Sequence, residues 1–191
     1  VTPTVLLVCR ANLCRSPSAE VMLTRSLGTS ELSVASAGLR VRDDQVAPED
    51  FLEVALARGV DLRAHRPVPF TKELGRSADV ILTMTRELLR TMVVDLPEVW
   101  PRSFTLLELC RRGATAAPAA GGETMVEWVA RVHATRDRTE LVSLDEVDDL
   151  RDPMAAVDRP DAEAPSPNEE MFGELERATR RLARLLATLS G

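Results

Sequence analysis

The chain has 191 residues, 45% of them apolar and 28% charged, which suits one domain with a full hydrophobic core and leaves little room for two. Its formal net charge of −6 argues against the broad basic field of a nucleic-acid binder, so any anion has to be held locally. No apolar run approaches the roughly 18 residues of a membrane span, and the opening residues show no signal-peptide pattern, so a cytoplasmic location is expected.

Val5-Leu6-Leu7-Val8 is short, apolar and β-branched at both ends, as a buried parallel strand should be. After the polar segment from Cys9 to Ser16, Pro17 opens a helix whose apolar side carries Ala19, Val21, Met22, Leu23 and Leu27, ending near Gly28. Leu32 to Ala37 reads as a second strand, and Pro48 to Arg58 as a second helix closed by Gly59. Val80 to Leu82 is a third strand, Arg86 to Val94 a helix, and Phe104 to Leu106 the start of a fourth strand. Gly113 to Gly122, rich in Ala, Gly and Pro, is expected to be a flexible loop, with a helix from Met125 to Val132.

Many acids and four prolines make Asp145 to Pro167 an expected irregular surface loop. A final helix, Asn168 to Leu189, aligns Met171, Leu175, Ala178, Leu182, Leu185 and Leu186 near one face. Strands alternating with helices imply an α/β fold: one domain over 1–191, a three-layer sandwich with a four-stranded parallel sheet flanked by helices. Ligands of such sheets bind at the carboxyl ends of strands, where Cys9 falls.

The loop Cys9-Arg10-Ala11-Asn12-Leu13-Cys14-Arg15-Ser16 lies between a strand and a helix. Backbone N–H groups and the helix dipole can converge there on a phosphate. The same dipoles, with Arg15 nearby, favour the thiolate of a cysteine at the loop's entrance, and the thiolate is the nucleophilic form. The planar fork of Arg15 can make two charge-assisted bonds to phosphate oxygens, so loop and guanidinium can stabilise phosphoryl transfer without a metal. Three cysteines form no disulfide framework, and no metal-ligand spacing or glycine-rich nucleotide motif occurs, so no cofactor and no metal are expected.

The run Cys9-x-x-Asn12-x-Cys14-Arg15-Ser16-Pro17 after an apolar strand resembles the phosphate loop of low-molecular-weight protein tyrosine phosphatases, a scaffold shared with thioredoxin-coupled arsenate reductases. Ser36-Ala37-Gly38, Gly59 to His65, Val80 to Met84 and Asp152-Pro153 follow in the family's order. The resemblance is weakest between Val94 and Val147. It implies a phosphatase acting on tyrosine-phosphorylated protein through a phosphocysteine on Cys9, with Arg15 binding phosphate and Asp152 serving as general acid and then base. Arg10, Ala11, Asn12, Leu13, Cys14 and Ser16 would complete the cradle, with Ser36 and His65 supporting a left-handed Asn12. Ser16 would hydrogen-bond the Cys9 sulfur. Cys14 would either pack or trap oxidised Cys9 as a disulfide, as family members do.

Asp158 and Asp161 are rivals to Asp152, although neither directly precedes proline. Leu13 favours phosphotyrosine, since related phosphoarginine phosphatases carry threonine there. The family's flanking aromatics are missing: Arg40, Val41 and Arg42 occupy the first region, Met154 follows Pro153, and the chain has no tyrosine. Ala11 replaces a common glycine and Thr85 a common aspartate. A reductase would need a cysteine relay, for which only Cys110 remains. The third alternative is a non-catalytic phosphate-binding module. His133 reads as surface decoration, Cys110 as a buried thiol, and Asp148-Asp149 as a solvated acidic pair.

Overall fold

A computed structural model describes residues 2–42, 45–117, 122–141, 146–154 and 165–189. Four strands, β1 (Thr4–Cys9), β2 (Ser33–Gly38), β3 (Val80–Thr83) and β4 (Ser103–Thr105), form one parallel sheet in the order β2-β1-β3-β4. The chain thus starts in the middle of the sheet, pairing Cys9 with Gly38 on one side and Val8 with Thr83 on the other. Helices are α1 (Arg15–Leu27), α2 (Glu49–Ala57), α3 (Lys72–Ser77), α4 (Arg86–Asp95), α5 (Leu106–Thr115), α6 (Met125–His133) and α7 (Pro167–Leu186).

Strand alternation divides the core in two. Val5, Leu7, Val80 and Leu82 face a cluster that includes Met22 and Leu23 of α1, Phe51 of α2, and Phe172 and Leu175 of α7. Leu6, Val8 and Ile81 face the opposite layer, which holds Leu89, Met92 and Val93 of α4. The expected three-layer sandwich with a four-stranded parallel sheet is therefore the observed fold.

Two helices escape the sequence reading. The short α3 is capped by Thr71, whose side chain accepts the Leu74 N–H. In α5, Thr105 and Glu108 form a reciprocal capping box immediately after β4, so the strand expected over Phe104 to Leu106 ends one residue earlier. The expected flexible loop from Gly113 is helical through Thr115, with Gly113 against Trp128: a Cβ there would stand 2.7 Å from the indole. Residues 118–121 of that loop lie outside the described residues.

His133 is half-buried, edge-on to Trp100 at 5.7 Å between centroids, which corrects its reading as surface decoration. Arg136 lies 3.5 Å over the Trp100 ring and donates to Ser103 O of the edge strand at 2.8 Å. Its burial pulls the guanidinium down to about 10. No helix among the described residues is long and apolar enough to cross a membrane.

Candidate active site

Cys9 is the last residue of β1 and α1 begins at Arg15, so five residues turn the chain at the carboxyl end of the sheet. The turn requires a left-handed residue, and Asn12, at φ 54°, is the only non-glycine with positive φ among the described residues. Every polar group of its side chain is engaged. Nδ2 donates to Ser16 Oγ and to Ser36 Oγ, both at 2.9 Å, and Oδ1 accepts the Val68 N–H at 2.8 Å. The backbone carbonyl of Asn12 accepts from His65 Nε2 at 2.8 Å. A carbonyl can only accept, so this contact fixes the His65 tautomer with hydrogen on Nε2.

Sequence reasoning missed Val68, and gave Gly38 a place in the family's order but no role. Gly38 N donates to Val68 O at 2.9 Å, and Leu39 N and Arg40 N donate to Cys9 O and Arg10 O, which docks the strand-to-helix turn on the chain leaving β2. A Cβ at Gly38 would meet Ala11 C and Asn12 N at 2.7 Å, so only glycine permits this approach. We expect Asn12→Ala to destabilise the fold by about 3 kcal/mol, combining the left-handed backbone with the loss of buried hydrogen bonds. Asn12→Gly, which relieves the backbone, should cost about 1 kcal/mol less. Urea denaturation of the two variants checks the ordering.

Two donors converge on the Cys9 sulfur: the Asn12 N–H at 3.2 Å and the Ser16 hydroxyl at 3.0 Å. They meet negative charge on sulfur with hydrogen bonds. Cys9 and Cys14 are both buried free thiols. Burial, reinforced by Cys9, pushes the Cys14 thiol up to about 12, so it stays protonated at neutral pH and is a poor nucleophile.

Arg15, buried at 5% exposure, reaches out of the loop. Its Nη2 donates to Asp152 Oδ2 at 2.6 Å and its Nη1 to Leu150 O at 3.3 Å. Asp152 Oδ1 accepts the Met154 N–H at 3.1 Å. The proposed nucleophile loop and the proposed acid, 137 positions apart from Arg15 to Asp152, are thus joined by one guanidinium. The rivals Asp158 and Asp161 lie outside the described residues.

A groove of about 1000 Å³ opens here, and Arg10, Arg15, Leu39, Arg40, Leu88 and Asp152 are among the residues lining it. None of its described lining residues is aromatic. Thr85, the departure noted in the sequence, caps α4 by accepting the Leu88 N–H at 3.3 Å.

The expected surface loop is irregular from Glu146 to Met154, with Glu146, Val147, Arg151 and Met154 exposed, but Asp148 and Asp149 are not the solvated pair expected. Asp148 is 3% exposed, bound by Arg111 Nε at 3.0 Å, Arg111 Nη2 at 2.6 Å and Arg86 Nη2 at 3.3 Å. Asp149 Oδ1 accepts the Arg86 N–H at 2.7 Å, although burial outweighs that contact and pushes its carboxyl up. Leu150 is fully buried and its N–H donates to Met84 O at 2.8 Å.

The chain is similar to known proteins in sequence and in fold. The family model for low molecular weight phosphotyrosine protein phosphatases matches residues 4–115. A putative low molecular weight protein-tyrosine-phosphatase of Klebsiella pneumoniae is 34% identical over 104 residues, 54% of this chain and 69% of that protein. The chain spans about half the length of several other curated relatives that it matches. The tyrosine phosphatase Wzb from Escherichia coli K30, solved with sulphate, superposes with a TM-score of 0.65 at 23% identity, covering 96% of this chain and 98% of that one. The arginine phosphatase YwlE from Geobacillus stearothermophilus gives a TM-score of 0.65 at 24% identity, covering 97% and 94%. At that identity the two structures speak for the fold alone. The family model spans more than half of the chain and reaches from the first strand through α5, so the chain belongs to the low molecular weight phosphotyrosine protein phosphatases, a family of cysteine-dependent hydrolases.

Proposed function

We propose that this chain hydrolyses phosphotyrosine in proteins through a phosphocysteine on Cys9. The observation that carries the reading is the Arg15–Asp152 contact at 2.6 Å, because it sets a phosphate-binding guanidinium and a proton-transfer carboxyl on the same opening. Cys9 Sγ attacks phosphorus while the phosphate sits on the loop's N–H groups and Arg15. The bond to the phenolic oxygen breaks, and Asp152, protonated, gives that oxygen its proton. Water then attacks the phosphocysteine and surrenders a proton to the Asp152 carboxylate. The sulfur–phosphorus bond breaks, and the departing thiolate is met by the Asn12 N–H and the Ser16 hydroxyl.

Two features support phosphatase over reductase or passive binding. Cys110 is buried, donates to Ala178 O in α7 and is pushed up to about 12 by burial, which suits packing better than thiol relay. Asp152 lines the groove and contacts Arg15 of the loop that Cys9 opens, and a binding module needs neither the thiol nor the carboxyl. Three free thiols also suit the reducing cytoplasm.

A second reading, phosphoarginine, has one observation in its favour: the groove's described lining carries no aromatic ring to stack on phosphotyrosine, whose stacking is worth about 0.5–1.5 kcal/mol. Leu13, partly exposed on the loop, and the guanidinium of Arg40, which can stack on a ring, favour tyrosine. The test measures phosphate release under chelator from phosphotyrosine and phosphoarginine peptides and reduction of arsenate with thioredoxin. Turnover of phosphotyrosine, slowed about a hundredfold in Asp152→Ala, is the expected result. Preference for phosphoarginine would reassign the substrate, and no turnover by a folded protein would leave a binding module.

A further inference from the structure

We propose that Asp148 is a positioning residue: gripped by Arg86 and Arg111, it ties α4 and α5 to the loop that carries Asp152 and so sets the reach of the acid. The inference rests on the reading of Asp152 as the proton donor.

Contacts along the run from Asp148 to Asp152 come from four parts of the fold: α4, α5 with its cap, the end of β3, and α1. Asp148 Oδ2 takes Arg86 Nη2 from α4 and Arg111 Nη2 from α5, while Arg111 Nε holds Oδ1. The Asp148 carbonyl accepts from Thr105 Oγ1 at 2.7 Å, at the start of α5. Asp149 caps the first turn of α4, Leu150 N joins Met84 O after β3, and Leu150 O receives Arg15. Asp152 itself is held by Arg15 and by the Met154 N–H. Four positions upstream, the side chain of Asp148 is 4% exposed while that of Asp152 is 35% exposed, so the buried end is anchored and the open end carries the chemistry.

A lone carboxylate would not enter this interior. Two guanidiniums offset the loss of its hydration, and Arg86 is fixed further by Glu140 O at 2.9 Å. Glu140 in turn pairs with Arg112 of α5. The segment between α4 and the Asp152 loop therefore contributes two restraints on that loop, Arg111 and Thr105, and a third, the Glu140 carbonyl, on Arg86. A displacement of about 1 Å of a reacting group can cost on the order of a hundredfold in rate, so the orientation of a half-exposed acid depends on how firmly its anchor is held.

The distinguishing measurement is leaving-group dependence. Proton donation matters most when the departing oxygen is basic, so kcat/KM is compared between phenyl phosphate and 4-nitrophenyl phosphate for wild type, Asp152→Ala, Asp148→Asn and Arg111→Met, with thermal melting of each. Asp152→Ala should lose about a hundredfold on phenyl phosphate and only severalfold on 4-nitrophenyl phosphate. Asp148→Asn should show the same asymmetry, with about a tenfold loss on phenyl phosphate. Arg111 is half-exposed, so Arg111→Met disturbs the fold less than Asp148→Asn, and it should give the same asymmetry more weakly. If Asp152→Ala is asymmetric while the folded Asp148→Asn and Arg111→Met proteins lose equally on both substrates, or lose nothing, the positioning role is overturned and the functional reading stands. If Asp152→Ala loses equally on both, the acid assignment falls and the inference with it.

Discussion

Replacing Cys9 by serine should lower phosphate release by more than about a thousandfold while the fold survives. Serine is close in shape, and the site is a strand terminus at 3% exposure whose neighbours contact the side chain through two hydrogen-bond donors. Both donors would find an oxygen in place of sulfur. What disappears is the nucleophile: an alkoxide is not accessible at neutral pH, and no described side chain hydrogen-bonds the position as a general base, since Ser16 is a hydroxyl donor and Asn12 contributes only an N–H. Phosphate binding should persist, because Arg15 and the backbone cradle are untouched. Single-turnover kinetics together with inorganic phosphate titration check both halves. Residual turnover within about tenfold of wild type would show that Cys9 does not attack phosphorus.

The candidate phosphate loop could be read from sequence because its signal is local: eight consecutive residues between an apolar strand and a proline-marked helix contain the proposed nucleophile, the arginine and the turn residue. The run Val5 to Val8 was equally local: uninterrupted apolar character marks a strand buried on both faces, and Val5 and Leu7 do face one layer while Leu6 and Val8 face the other. Helix α5 was hidden because the Ala, Gly and Pro content downstream of Gly113 dominated the reading. The signal that would have found it is the pair Thr105 and Glu108, spaced for a capping box. Asp148 illustrates a different limit. Two adjacent aspartates in an acidic, proline-rich stretch look solvated, and the arginines that bury Asp148 lie 62 and 37 positions away. Charge in sequence is visible, but its neutralising partner across the fold is not. Val68 was invisible for the same reason: it serves Asn12 through its backbone N–H, for which no side chain is diagnostic.

Arg15→Lys should reduce kcat/KM by about a thousandfold or more, a larger loss than removal of Asp152, because in the proposed mechanism Arg15 both binds phosphate and holds the acid. Its guanidinium is positioned by Leu150 O and by Asp152, contacts that use Nη1 and Nη2 at once. A lysine ammonium is a point charge without the planar fork and cannot span a carbonyl and a carboxylate while also presenting two parallel donors to phosphate. The charge is retained in the variant, so a small loss would mean that Arg15 contributes charge alone. A large one would mean that its geometry matters. Inorganic phosphate affinity separates ground-state from transition-state binding: weakening of phosphate comparable to the loss in kcat/KM assigns Arg15 mainly to uniform binding. A modest change in phosphate affinity beside a large fall in kcat assigns it to charge that develops during transfer. The second pattern is expected, because the loop's N–H groups remain to hold the ground-state phosphate, whereas Arg15 alone among the described side chains bonds both the 148–152 run and the side chain of Asp152.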